Sequence, residues 1–286
     1  MSTRKLRQLF LSCAALTSCF AGSSFAADLP VHRAAYYVAP FSWTGLYGGV
    51  NVGYGWGDPQ ITSSALSTVS GPAVGPTVVS AAAVGSGRSS SALGGFQLGY
   101  NLQTGWWVYG VETDLSVTRL QATDPGAVTL ARFNDGVNQA VLQSSTSPTA
   151  SIDWFGTLRA RLGYSWNRAL LYGTGGLAYG STRLTDGGQF NGFSGNGGTI
   201  TTFNTPGLPG NAVVKAGWSA GGGIDYAYTN HIILSLTYLH VDLGSQSVLS
   251  GLTRQNPGGT TVVNGSTNTS TNFNFDVLRA AISWKM

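Results

Sequence analysis

The sequence predicts an all-β fold, an eight-stranded antiparallel up-and-down transmembrane β-barrel. Three observations carry that prediction. From Ile152 every second residue (Ile152, Trp154, Gly156, Leu158, Ala160, Leu162, Tyr164, Trp166) is apolar, aromatic or glycine, whereas the interleaved residues, Asp153, Arg159 and Arg161 among them, are mostly polar. A period of two sends the two sets to opposite faces of one strand. About fourteen residues of such alternation suits a strand tilted across a bilayer better than the usual five or six of a soluble sheet. Composition is the second observation: only 9% of the 286 residues are charged, against 41 glycines, 8 tryptophans and 12 tyrosines. That balance fits a lipid-facing wall around a crowded interior. The third is the spacing of tryptophans. Trp154 and Trp166 share a face and lie roughly 30 Å apart along the membrane normal, taking about 3.3 Å per residue and a tilt near 40°, close to the height of an apolar band between aromatic girdles.

Residues 1–26 read as a signal peptide: Arg4, Lys5 and Arg7, an apolar core from Leu9 to Phe20, then Ser24-Phe25-Ala26. Cleavage after Ala26 is expected. A rival is Leu16-Thr17-Ser18-Cys19, which resembles a lipoprotein cleavage box that would make Cys19 a lipid anchor. Both cysteines, Cys13 and Cys19, fall inside the leader, so the mature chain has no disulfide and no thiolate site. Taking three of the 15 basic residues away leaves 12 against 11 acidic ones, which supports no nucleic-acid partner. After residue 26 no apolar run reaches eighteen residues, which excludes a spanning helix.

Residues 27–42, with two prolines and no sustained period, read as a periplasmic linker, and 43–286 as the barrel domain. Strand one starts near Trp43, with Leu46, Val50, Val52, Tyr54 and Trp56 on one parity and Tyr47 and Asn51 on the other. Strand two, about 92–103, sends Phe96, Leu98, Tyr100 and Leu102 outward. After the turn at Thr104-Gly105, strand three (about 106–120) alternates Trp107, Tyr109, Val111, Leu115 and Val117 with Glu112, Asp114 and Ser116. Strand four is the alternating stretch above, and Asn167-Arg168 turns it into strand five (about 169–184), whose parity glycine obscures. Strand six (about 214–228) faces Trp218, Ile224, Tyr226 and Tyr228 out and Lys215, Ser219 and Asp225 in. Strand seven (about 232–244) has Ile232, Leu234, Leu236 and Tyr238 outward. Strand eight (about 273–286) has Leu278, Ala280, Ile282, Trp284 and Met286 outward, with Arg279 and Lys285 inward.

Between these strands, long Ser/Thr/Gly/Asn-rich loops are expected over about 58–91, 121–150, 185–213 and 245–272, alternating with turns of two or three residues. Short periplasmic turns and long external loops are the asymmetry of an outer-membrane barrel in a Gram-negative envelope, with both termini periplasmic. The tryptophans then form an aromatic girdle: Trp43, Trp106, Trp107, Trp166 and Trp284 on the periplasmic side, Trp56, Trp154 and Trp218 on the outer side.

The inward charges Glu112, Asp114, Arg159, Arg161, Lys215, Asp225 and Arg279 make a candidate lumen network. Two readings stand. Eight strands leave an interior that side chains fill, which favours a salt-bridged plug; the same charges could line a narrow, slightly cation-disfavouring channel. His32, His231 and His240 share no metal-ligand spacing and read as solvated or interfacial, so no metal or cofactor is expected. His240 and Asp242 near the outer rim do not mark any serine as activated, so no enzyme is expected. The runs Gly53/Gly55/Gly57, Gly173/Gly175/Gly176 and Gly221/Gly222/Gly223 open no helix and fail as nucleotide loops.

The run Trp43-Thr44-Gly45-Leu46-Tyr47-Gly48-Gly49-Val50-Asn51-Val52-Gly53-Tyr54-Gly55-Trp56-Gly57 resembles the first strand of small outer-membrane β-barrel surface proteins of rhizobial-type alphaproteobacteria. Ala27-Asp28-Leu29-Pro30, the run from Tyr172 to Gly180 and the end Val277-Leu278-Arg279-Ala280-Ala281-Ile282 look similar too. The resemblance covers the leader and most strands but not the long loops. It implies an outer-membrane-protein-A-like barrel on the cell surface, tied to envelope integrity and host contact. Its surroundings would be outer-membrane lipid and lipopolysaccharide, and its external ligand is not specified. Some members are described as porin-like, solute-binding or haem-binding, which is the alternative function. The family usually ends in an aromatic residue that the barrel-assembly machinery reads in the C-terminal strand. This chain departs from that pattern: it ends in Met286, two residues after Trp284.

Overall fold

The computed structural model describes residues 41–286 apart from 72–76, 125, 197–198, 207–209 and 256–260. The expected leader, with Cys13, Cys19 and His32 of the linker, lies outside the described residues. The strands are, in chain order, β1 (Gly45–Gly57), β2 (Gln60–Ser70), β3 (Thr77–Ser86), β4 (Ser89–Thr104), β5 (Trp107–Thr123), β6 (Val128–Asn134), β7 (Asn138–Ser145), β8 (Thr149–Trp166), β9 (Ala169–Thr185), β10 (Gln189–Asn196), β11 (Thr199–Pro206), β12 (Ala212–Ala227), β13 (Ile232–Gln255) and β14 (Val262–Lys285). Pairings are antiparallel, and β1-β4-β5-β8-β9-β12-β13-β14 closes on itself through β1–β14. These are the eight strands expected from the alternation.

Short turns gather at one end. Trp166 faces Ala169, so Asn167-Arg168 is a two-residue connection. Asn167 has φ 55°, a left-handed conformation that asparagine tolerates and that matches the twist of a hairpin. Both ends of the ring meet here: the Met286 amide donates to Leu46 O at 2.9 Å.

The opposite end differs from expectation. The four connections expected as loops are largely strand. They continue the wall, two of them in unbroken register: on β14, Trp56 faces Asp276 and Ile61 faces Thr271, and Thr149 faces Thr185 as Ser145 faces Gln189; β13 continues along β14 past a register shift between Asp242 and Ser245. Ser and Thr alternating with Val and Ala is a weak strand signal in isolation. A hairpin already held in the barrel templates its own extension, and this decides the outcome. Above the ring the wall opens along two seams, β3/β6 and β11/β13, leaving the sheets β13-β14-β2-β3 and β11-β10-β7-β6. They pack face to face around Val69, Ala131, Phe133, Ala140, Leu142, Phe190 and Val263.

A bulge corrects one expected facing. The β8 register against β9 shifts between Ile152 and Trp154, so Ile152 points into the core with Phe155, while Leu158 and Leu162 stay outside. One extra residue on one strand reverses parity on its far side.

The β6–β7 turn contains a pH-dependent contact. The Asn138 side chain and the amides of Asn138 and Val137 donate to the Asp135 carboxylate, and these bonds, the Asn138 side chain's first, hold its pKa below the ordinary value. A depressed carboxylate stabilises above its unfolded pKa and loses that contribution as pH falls through the folded value. Amide exchange at Val137 and Asn138 is therefore expected to accelerate, beyond the intrinsic pH trend, as pH falls below the usual aspartate range. Asp135→Asn should abolish that step.

Candidate functional site

Across the middle of the ring lies an ionic layer in which β5, β8, β12 and β14 each supply inward side chains. Arg159 Nη2 reaches Glu112 Oε1 at 2.5 Å and Asp114 Oδ2 at 2.8 Å. Arg279 Nη2 reaches the same two carboxylates at 3.4 and 3.0 Å. Arg161 spans Glu112 (2.9 Å) and Asp225 (2.5 Å). Three guanidiniums thus meet three carboxylates, all buried, in a layer of no net charge. Charges survive in such a low-dielectric interior when they are paired in this way. Only the β5–β8 bonds join neighbouring strands; Arg279 and Asp225 tie non-adjacent walls across the lumen.

Hydroxyls complete the layer. Tyr47 donates to Glu112 Oε2 at 2.7 Å and accepts from Arg161 Nη1, and Thr157 donates to Asp114 Oδ2 at 2.6 Å. The Arg161 guanidinium lies 3.7 Å from the Tyr172 ring centroid, and Tyr172 shares a hydrogen bond with Thr237. Room for this layer comes from glycine: a Cβ on Gly176 would sit 2.1 Å from Leu158 O and 2.7 Å from Arg159 Cα.

Sequence reasoning missed Tyr47, Tyr172, Thr157 and Thr237 as members. Tyr47 on the inward parity of strand one was an available signal; the glycine-obscured parity of strand five concealed Tyr172. Six of the seven expected charges, Glu112, Asp114, Arg159, Arg161, Asp225 and Arg279, are brought together. Lys215 is not: it sits higher, and its ammonium donates to Ser245 O at 2.6 Å, across the gap where β12 and β13 diverge.

The layer is flanked by apolar ones. Toward the turns, Trp43 packs with Val108, Leu170, Tyr172, Ala227 and Ile233, and its amide donates to Gln103 Oε1 at 2.7 Å. Trp43 is 1% exposed, which corrects its assignment to the girdle. It precedes β1, so no strand pleat sends it outward, and it stoppers the barrel mouth instead. Away from the turns, Ile61, Leu120, Ile152, Phe155, Phe273 and Phe275 pack in the neck, with a cavity of about 20 Å³ beside Phe273. Above them the Asp186 carboxylate, fully buried, accepts from Thr267 and Thr269.

Outside, the ring is apolar. Val52, Phe96 and Leu158 are 67%, 71% and 52% exposed, with Val111, Leu236 and Ile282 in the same belt. So large a contiguous apolar surface does not face water in a monomeric soluble protein. Trp106, Trp107, Trp166 and Trp284 point outward at the turn end. Trp56, Trp154 and Trp218 lie at the opposite rim of the belt, packed on Tyr238, Tyr179 and His240 respectively. His240 pairs with Asp276 (2.8 Å) on this outer face rather than with Asp242, and His231 stacks on Trp284. Among the described residues no three His, Cys, Asp or Glu side chains converge as a metal site.

No family model matches the chain. It is 32% identical over 242 residues to the 31 kDa outer-membrane immunogenic protein of Brucella melitensis, covering 82% of this chain and 88% of that protein. Against the 25 kDa outer-membrane immunogenic protein of Brucella canis it is 26% identical over 259 residues, covering 88% and 92%. A 22 kDa outer membrane protein of Rhizobium leguminosarum is 29% identical over 163 residues, covering 57% and 58%. Among solved structures, OprG of Pseudomonas aeruginosa is similar with a TM-score of 0.40 and 13% identity, covering 85% of this chain and 96% of that one.

Proposed function

We propose, for a chain that belongs to the family of the Brucella outer-membrane immunogenic proteins, that its barrel is a sealed anchor contributing to envelope integrity while its two-sheet extension is the surface presented for contact. The protein is an outer-membrane surface protein; the finer reading rests on one observation, the charge-neutral layer of Glu112, Asp114, Asp225, Arg159, Arg161 and Arg279 that crosses the lumen. Apolar layers on both sides of it support a wall meant to hold rather than to conduct.

In this reading the leader is cut after Ala26, the short turns and both termini are periplasmic, and the extended end faces outward among lipopolysaccharide. The assembly machinery meets β14, whose Trp284 is exposed, as is Met286 just after the strand. The protein works as architecture, without catalysis. Refolded protein in a planar bilayer is expected to give no stable current steps. Reproducible, ion-dependent steps at neutral pH would replace the anchor with a small porin.

A further inference from the structure

Asp186, between β9 and β10, is fully buried, and both its carboxylate oxygens are held from β14. Oδ1 accepts from Thr269 at 2.6 Å and Oδ2 accepts from Thr267. A carboxylate taken out of water pairs with a cation or takes up a proton. Among the described residues no lysine, arginine or histidine pairs with it. Arg132, Arg183 and Arg254, on β6, β9 and β13, are exposed, and the three guanidiniums of the ionic layer are engaged with its own carboxylates. Two hydroxyls solvate the Asp186 charge without neutralising it. Further oxygens lie beside them. Ser63 faces Thr269 across the β2–β14 pair, and Ser250 faces Thr267 across the β13–β14 pair. Both serines are buried, and neither hydroxyl has a hydrogen-bond partner among the described residues. Directly opposed side chains on one sheet face stand about 4.5–5.5 Å apart at Cβ, so these two oxygens border the pair that holds the carboxylate. Buried hydroxyls without a partner are uncommon. Gly188 closes in on the group: a Cβ there would lie 2.5 Å from Asp186 Oδ2 and 3.1 Å from Thr267 Oγ1.

We infer that Asp186, Thr267, Thr269, Ser63 and Ser250 hold a monovalent alkali cation, sodium or potassium. A donor set made only of oxygens selects a hard cation. A threonine hydroxyl that gives its hydrogen to Asp186 keeps lone pairs for the ion, and Ser63 and Ser250 gain the partner they otherwise lack. Charge sets the valence. One carboxylate cancels one unit of charge, whereas a calcium or magnesium ion would leave an excess positive charge buried. A proton on Asp186 would also remove the charge, but it would leave Ser63 and Ser250 unpaired. The ion pins the segment that leads into β10, a strand of one sheet of the extension, onto β2, β13 and β14 of the other. The inference does not depend on which side of the membrane the extension faces.

Urea unfolding of the leaderless chain, refolded in detergent micelles and freed of alkali ions, tests this. Ionic strength is held fixed at mildly alkaline pH in tetramethylammonium, sodium, potassium or calcium chloride. The midpoint should rise in sodium or potassium, and the better-fitting ion is the one that acts at lower concentration. Above its dissociation constant, the folded-to-unfolded ratio should climb about tenfold for each tenfold rise in cation. Asp186→Asn should flatten that response. Ser63→Ala combined with Ser250→Ala removes only two hydroxyls, so it should fold and should need several-fold more cation for the same gain. That variant decides the matter if Asp186→Asn does not refold. A midpoint indifferent to the cation would overturn the inference, and a rise on acidification that Asp186→Asn lacks would then assign the site to a proton. A response to calcium alone would overturn it too. So would an alkali response that survives Asp186→Asn, or one that the double serine variant leaves unchanged.

Discussion

Replacing Glu112 by alanine is expected to destabilise the barrel by about 3–5 kcal/mol, the usual result of removing one partner from a buried ionic network. Glu112 is the hub: it accepts from Arg159, Arg161, Arg279 and Tyr47. Without it, three guanidiniums share Asp114 and Asp225, and the layer acquires an uncompensated positive charge where water cannot reach. The effect is electrostatic first and steric second, so a second deletion of opposite sign should restore part of it. Glu112→Ala with Arg279→Ala returns the layer to neutrality, and a coupling on the order of 1–3 kcal/mol is expected between the two. Urea unfolding in detergent micelles, followed by tryptophan fluorescence, reads all three variants. If the single variant unfolds with the parent, or if the two losses simply add, the layer is not a network.

The neighbouring residue gives the second large effect, from the opposite face. Val111 lies mid-belt between the Trp107 end and the level of Val117, which faces Trp154. Val111→Arg places a cation in hydrocarbon and is expected to weaken the folded barrel by about 2–4 kcal/mol, whereas Val117→Arg, near the interface, should cost about 0–1 kcal/mol. Refolding yield and unfolding midpoint in lipid vesicles measure both. Lipid contact is the premise, so equal costs at the two depths would refute it. One step along β5 therefore separates a site that needs its charge from a site that cannot accept one.

Much of this was legible in the residues. Period-two alternation along strands three, four, six, seven and eight marks inside from outside wherever large apolar and charged side chains interleave, and it placed Glu112, Asp114, Arg159, Arg161, Asp225 and Arg279 on the inner face. Legibility failed where the pattern thins. Glycine carries no facing signal, so Tyr172 on β9 went unread. A bulge is a one-residue event in backbone pairing, invisible in composition, so Ile152 was sent to the wrong face. Trp43 looked interfacial because tryptophans near strand ends usually are.

By itself the sequence determined that eight long strands alternate, that their outer row is apolar and that charges of both signs, Lys215 among them, line the inner one, because burial and hydration act on each residue locally. Which carboxylate meets which guanidinium, and whether a Ser/Thr-rich connection pairs or wanders, depend on register between segments far apart in the chain. Only tertiary structure decided those. A strand already held in the ring lowers the entropy of adding the next residue pair, and that is why the extension rises above the belt as sheet.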